Sequence, residues 1–499
     1  MKKVLITYAC LGLLSLSITS CSDFLTLQPE HQINELGYWK NEADFETAIV
    51  GLYSGLQSYA QNLMWVNEVG TDNATFQLPQ AESHVTGFDY WTLSPTNAYV
   101  NNYWNNNYGT ISRANTILNR LSNVDFTSKS RMEGECKFIR ALSYFQLVRL
   151  FGDVSISTKE FSSPNEINNY DFSRKPVEEI YKLILNDLTD AEKLLANDEI
   201  PSNKGKVSIG AIKTLLGKIY LTKKEYDLAV QKLKEVIDMQ AYSLESDFAS
   251  LFSEGNDDKV ESILEIEFAS GNQGEGFDFG NFYPNVINMD VFPGGIIGGG
   301  RCVPSITLWN AYEEGDIRRD AGLGNKLPMN DGTTTDYFFC KKFVDYSATT
   351  MQDGGVNFTL LRYADVLLMY AEALNELNKT NEALPYINQI RQRAQVSSLM
   401  GLSQNQLRLA IEKERQLELC FEGHRWFDLK RTDRLLDVIN EDFKNLGLTF
   451  SAKEYGLLLP IIQERHNLRP IPQTYLDAIQ KDGHALTPEE KKAEQNPGY

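Results

Sequence analysis

Cysteine, histidine and basic charge are all scarce in this chain, and each shortage removes a class of function. Only six cysteines occur in 499 residues. Cys10 falls in the N-terminal apolar stretch and Cys21 just after it, while Cys136, Cys302, Cys340 and Cys420 show no CxxC pairing. An exported chain can form disulfides, yet Cys136 and Cys420 sit within helical patterns and read more simply as small buried apolar residues. The five histidines, His31, His84, His424, His466 and His484, never form an HExxH or HxH pair, so no transition-metal site and no cofactor is expected. Lys and Arg number 48 against 67 Asp and Glu, for a formal net charge of -19. A nucleic-acid partner needs a clustered basic surface to displace counterions, so none is expected. No Pro, Gly or Ser linker divides the chain, and one large domain over 21–499 is expected.

After Met1, Lys2 and Lys3 comes an apolar stretch from Val4 to Leu16 and then small and polar residues up to Cys21. That pattern reads as a secretory signal over 1–20, too short to span a bilayer. The segment "SITSC" resembles the lipobox of bacterial lipoproteins, which would make Cys21 the acylated first residue of the mature protein. The polar "SDFLTLQPE" that follows suits a tether. No other segment is long and apolar enough to cross a membrane.

The clearest internal order is a helical repeat. In "AIKTLLGKIYLTKKEYDLAVQKLKEVI", Leu216, Gly217, Tyr220, Ala229, Leu233 and Val236 fall at tetratricopeptide spacing. Small residues at Gly217 and Ala229 let two antiparallel helices approach, and Tyr220 and Leu233 fill the space between them. "VLLMYAEALNELNKTNEALPYINQI" repeats the arrangement, with Ala371 and Ala383 as the small residues and Leu374 and Ile387 as packing partners. Helical hairpins are therefore predicted near 205–240 and 360–394. Further helices are predicted over "GTISRANTILNRL", "ECKFIRALSYFQLVRLFG" and "VEEIYKLILNDLTDAEKLL", whose apolar residues recur at three and four. Two non-repetitive insertions interrupt the helices, near 62–97 and 269–304. Long loops in a compact protein usually carry function.

Taken in order, "SCSDFL", "FIRALSYFQLVRLFGDVSI", the two hairpins, "ERQLELCFEGHRWFDLKR", "RPIPQ" and the terminal "QNPGY" resemble the SusD/RagB surface lipoproteins of Bacteroidetes over nearly the whole chain. The resemblance implies a mainly α fold, a tetratricopeptide-repeat helical scaffold with an irregular, loop-rich ligand-binding portion. It implies a lipid-anchored protein on the extracellular side of the outer membrane. Such a protein captures oligosaccharides for a partner SusC-like TonB-dependent transporter and has no catalytic residues. A peptide- or glycopeptide-binding member of the same family is the alternative, and a secreted glycosidase a more distant one.

The stretch "FEGHRWFDLKR" looks at first like an active site, since it offers a base, carboxylates and cations. The resemblance assigns it to the scaffold, where Glu422, His424, Arg425 and Asp428 would orient helices through buried hydrogen bonds. Ligand contacts are expected in the insertions. A sugar presents axial hydrogens on one face and hydroxyls around its edge, so its binder needs exposed aromatic planes beside Asp, Asn or Arg. The chain's 24 Tyr, 25 Phe and 6 Trp supply many such planes. Trp65, Asp72, Asn73 and Trp91 in the first insertion offer that mixture, and Phe282, Tyr283 and Arg301 in the second could complete it, although core packing is an equal alternative for each aromatic. Trp104, Tyr108 and Trp309 read as helical core.

Overall fold

The structure, a computed structural model, describes residues 39–76, 83–253, 255, 258–286, 289–292, 297–446, 462–481 and 484–499. Cys21 and the signal lie outside them. The chain divides into a short unit up to Ala48 and a second from Ile49 to Tyr499. In the first, Asp44 accepts backbone hydrogen bonds from Lys40 and Asn41, and Trp39 lies against Phe45.

The second unit is built mainly from helices packed in antiparallel pairs. Asn97 starts Ala98–Leu121 by accepting from the amides of Tyr99 and Val100. Its inward stripe of Tyr103, Trp104, Ile111, Ala114 and Ile117 follows the helical period. The next helix, Lys129–Phe151, packs between Ala98–Leu121 and Val177–Leu194, and every residue from Phe138 to Val148 is buried. A helix so enclosed must satisfy its polar side chains internally. Arg140 does so by donating to both oxygens of Asp187 at 2.7 and 2.8 Å and to Asn115 at 2.8 Å, which joins three helices through one guanidinium.

The repeat hairpins follow. Ser208 caps Ile209–Thr222, which folds against Tyr226–Asp238. A Cβ added at Gly217 would lie 2.6 Å from Leu233, so only glycine permits this approach. Tyr363–Glu376 pairs with Thr380–Arg393, where Ala371 and Ala383 are fully buried. A capping box between Ser403 and Gln406 starts Gln404–Leu419, which packs on Tyr363–Glu376. Among the described residues the strands are short and form two-stranded antiparallel pairs, and no helix is long and apolar enough to cross a membrane.

"FEGHRWFDLKR" sits inside this scaffold. Glu422 accepts from Lys342 at 2.7 Å and Arg362 at 2.6 Å. Arg362 also reaches Glu261 and Glu418. Arg425 grips Asp72 through two 2.7 Å bonds, and Asp428 takes Arg415 and Arg431. These charges are buried together, so their desolvation is offset only while every partner stays in place, and deleting one partner of such a pair typically costs about 3–5 kcal/mol. The network fixes which helices meet and in what register.

Candidate functional site

The two insertions are far apart in sequence but joined in space. Ala74–Thr75 pairs antiparallel with Val303–Pro304, with Ala74 opposite Pro304. Just beyond, Ser305 donates its amide to the Asn73 carbonyl and its hydroxyl to that of Asp72.

Most of the residues expected to contact ligand are buried. Trp65, Asp72, Asn73, Trp91 and Tyr283 are all at most 6% exposed. The surface on which their ligand role was expected is therefore absent, and local chemistry explains why. Asp72 is consumed by Arg425 and Gln416, and Asn73 by Glu68 and Gln416. The Trp91 indole donates to the Gly70 carbonyl at 2.9 Å and carries the Arg469 guanidinium 4.9 Å over its ring. Trp65 packs on Tyr99, their centroids 4.7 Å apart. Phe282 is likewise buried. Arg301 alone of the expected set keeps surface. Trp309 departs the other way. It is half-buried, with Arg319 above its ring at 4.9 Å and Phe338 beside it.

Sequence reasoning missed the exposed ring, Tyr346, because it belongs to neither insertion. Tyr346 is 46% exposed. It stacks on Phe292 at 5.8 Å and 13°, and its hydroxyl meets that of Tyr283 at 3.1 Å. Asp345 holds the turn beneath it, accepting from the amides of Ser347, Ala348 and Gly355. The ring's orientation is thus set by its protein neighbours. The loop carrying Tyr283 is laced to the one carrying Arg301, with Gly299 donating to Gly280, Gly300 to Tyr283 and Cys302 to Asn281. A Cβ at Gly298 would stand 2.3 Å from the Tyr283 carbonyl, which accounts for glycine there. Arg301 donates to Asn281, which donates in turn to Asp278. Burial pushes the Asp278 carboxyl up, while the Gly280 amide and Arg301 oppose that shift.

A second aromatic surface comes from three separate segments, so no local pattern revealed it. Trp104 and Tyr108 meet Tyr170, Phe172 and Tyr475 around a cleft of 290 Å³. Trp104 lies 5.0 Å from Tyr108 and 4.9 Å from Tyr475. The hydroxyls of Tyr108 and Tyr475 bond to the backbone carbonyls of Ser155 and Phe172, which leaves ring surface to line the cleft. Trp104 is the core residue expected, but its edge also forms this wall.

Two carboxyls near the insertion junction titrate high. Burial pushes Asp89 up to about 7 and Asp442 up to about 6, each partly relieved by a threonine hydroxyl, from Thr75 and Thr307. A glycosidase needs one raised acid beside an ordinarily ionised carboxylate. Here both shift the same way, so the pair lacks that division of roles.

Comparison with known proteins gives a consistent result at both ends of the chain. A family model described as the SusD family matches residues 311–499, and a SusD-like model described as "Starch-binding associating with outer membrane" matches 23–221. SusD-like protein P2 of Formosa agariphila is 28% identical, over 92% of this chain and 97% of its own. Among solved structures, a SusD homolog from Bacteroides thetaiotaomicron superposes with a TM-score of 0.77 at 25% identity, covering 94% of this chain and 99% of its own. A laminarin-binding SusD-like protein gives 0.72 at 25% identity, covering 92% and 100%.

Proposed function

This chain belongs to the SusD/RagB family, and from that premise we propose that it is a cell-surface, lipid-anchored protein that captures oligosaccharides and delivers them to a SusC-like TonB-dependent transporter in the outer membrane. Attachment would be through Cys21, and the ligand would meet the loop-rich portion. The observation that carries the reading is Tyr346, an exposed ring held flat by Phe292 and fixed at its hydroxyl by Tyr283, on loops that also present Arg301. A preorganised aromatic plane suits a sugar's apolar face. Little entropy is lost on binding, because the side chain is already ordered. The relative named for laminarin binding and the outer-membrane description of the second family model support the same reading.

The test is calorimetry of the purified protein against pools of neutral and acidic oligosaccharides and of peptides, with Tyr346→Ala beside the wild type. An aromatic contact contributes roughly 0.5–1.5 kcal/mol, so the variant should bind up to about tenfold more weakly while its circular dichroism is unchanged. Binding of peptides alone would replace the glycan reading. Equal affinity in a folded variant would remove Tyr346 from the site.

A further inference from the structure

A groove of 640 Å³ lies on the scaffold between the Lys129–Phe151 helix, the Arg425–Arg431 helix and the C-terminal segment. Its lining is cationic, although the whole chain carries a formal charge of -19. Five basic side chains line it, and two of them are neutralised. Arg431 is paired with Glu372 and Asp428, and Lys224 with Asp433. The remaining three make no ion pair among the described residues and hydrogen-bond to neutral groups, although Asp153 and Glu494 lie near enough to Arg174, and Asp428 to Arg149, to act on them through space. Arg149 donates to the Phe145 carbonyl and to the Gln146 side chain, and its Nη1 has no acceptor among the described residues. Arg174 donates to the carbonyls of Asp153 and Glu494 and to the amide oxygen of Asn496. Lys430 donates to the Arg149 carbonyl. The Asp153 carboxylate, the other acid in the lining, accepts from the Val177 amide at the start of a helix.

These cations are also held in place. The Arg149 guanidinium lies between the rings of Phe145 and Phe427, 3.9 and 3.6 Å from their centroids. The Lys430 ammonium stands 5.0 Å from the Trp426 ring, and the Arg469 guanidinium also lies 5.0 Å from that ring. Two nitrogens of that fully buried guanidinium, Nε and Nη1, have no hydrogen-bond partner among the described residues. Five basic side chains therefore share the lining with two carboxylates, Asp153 and Asp433, and three of the five have no direct ion pair among the described residues.

We infer that this groove is an anion site, and that its ligand is the carboxylate of an acidic sugar, a uronate within a captured oligosaccharide. The sugar part of the inference rests on the glycan-capture reading; the anion part rests on the groove itself. A planar carboxylate can accept from Arg149 Nη1 and the Lys430 ammonium together, as charge-assisted bonds. Val148, Val177 and Leu468 in the same lining offer apolar contact to the ring face, and the volume holds more than one sugar unit. Titration behaviour agrees with the geometry. Burial holds Arg149 below the usual arginine range, and burial with Arg149 and Arg469 nearby pushes Lys430 down to about 7, as expected of cations lacking an anion.

The experiment is calorimetry of the full mature protein with trisaccharides of galacturonate, glucuronate and mannuronate, their neutral counterparts of equal length, and inorganic phosphate. At least one uronate should bind ten times more tightly than its neutral counterpart, with Lys430→Gln and Arg174→Gln each removing most of that preference. Both substituted side chains are part-exposed, and thermal melting alongside establishes that the variants fold. Neutral sugars bound as tightly as every uronate would overturn the anion site and leave glycan capture standing. No saccharide bound at all would overturn glycan capture as well. A uronate preference untouched in both folded variants would place the carboxylate elsewhere, and saturable phosphate binding without uronate binding would reject the sugar as the ligand.

Discussion

Replacing His424 with glutamine should flatten part of the protein's response to acid. His424 Nδ1 lies 3.4 Å from the Lys218 ammonium. Lys218 is paired with Asp365 at 2.9 Å, and Asp365 with Arg415 at 2.8 Å. Burial first, and the Lys218 charge second, push the imidazole down to about 3. An unfolded chain releases its histidine to a pKa near 6.5. The folded value is the lower one, so as pH falls through 6.5 the unfolded state takes up the proton first. The contribution of His424 is therefore complete above pH 6.5 and is lost progressively towards pH 3. At pH 5 the full linkage amounts to about 2 kcal/mol, and the residue's partial exposure reduces it to roughly 1–2 kcal/mol. Other groups act in the same window with the opposite sign. Glu68 and Asp89 are both pushed up to about 7 by burial, so folding takes up their protons and gains stability as pH drops from 7. The wild-type curve alone is therefore ambiguous, whereas its difference from His424→Gln is not. Unfolding entropy is about 2.1 cal/mol/K per residue, so the difference in Tm should change by about 1–2 °C between pH 8 and pH 5. Differential scanning fluorimetry of both proteins across that range measures it. Parallel curves would mean that the ring titrates normally in the folded state, and the account of the motif would fail with it.

Four further outcomes are expected. Arg362→Met should cost about 3–5 kcal/mol in urea unfolding, because it leaves Glu261, Glu418 and Glu422 buried without their shared cation; a loss below 1 kcal/mol would show the network to be dispensable. Gly217→Ala should cost roughly 1–3 kcal/mol in the same assay, since its Cβ meets Leu233, and Gly217→Ala combined with Leu233→Ala should recover part of that loss. Trp91→Ala should lower Tm, with a stability loss of about 3–5 kcal/mol, and folded protein at low temperature should bind oligosaccharide as before; weakened binding without destabilisation would return Trp91 to the ligand site. Cys21→Ala should shift the protein from the membrane to the soluble fraction in cells lacking the transporter, and unchanged sedimentation would reject lipid anchoring there.

The scaffold was legible because its signals are local. Gly217, Ala229, Ala371 and Ala383 mark helix contacts through their small size, and the three-and-four spacing around Tyr103 and Ile111 reports a buried face directly. The motif at Glu422–Asp428 could be assigned to structure but not resolved into partners, since nothing in the sequence says that Arg425 belongs with Asp72 or Asp365 with Lys218. The exposed aromatic surface was least legible. Trp91 and Asp72 look like sugar contacts in the linear sequence, being an aromatic and an acid in a long turn-rich segment. Whether such residues face outward depends on distant cations, and here Arg425 and Arg469 draw both inward. Tyr346 carries no signal of its own, for its exposure is created by Phe292 and Tyr283 beneath it.

The grip of Arg425 on Asp72 also bears on how the protein comes to exist. The two residues are 353 positions apart, and the strand pairing of Ala74 with Pro304 also joins segments far apart in the chain. Contacts of such separation form late, after the cost of closing the intervening chain has been met. Until the segment around residue 425 has been made, Asp72 has no Arg425 to pair with and the first insertion has no seat. Nascent chains should therefore remain open and protease-sensitive for most of their length. A product truncated before the motif would leave Asp72 without its cation, so the far end of the chain decides whether the first insertion can be seated.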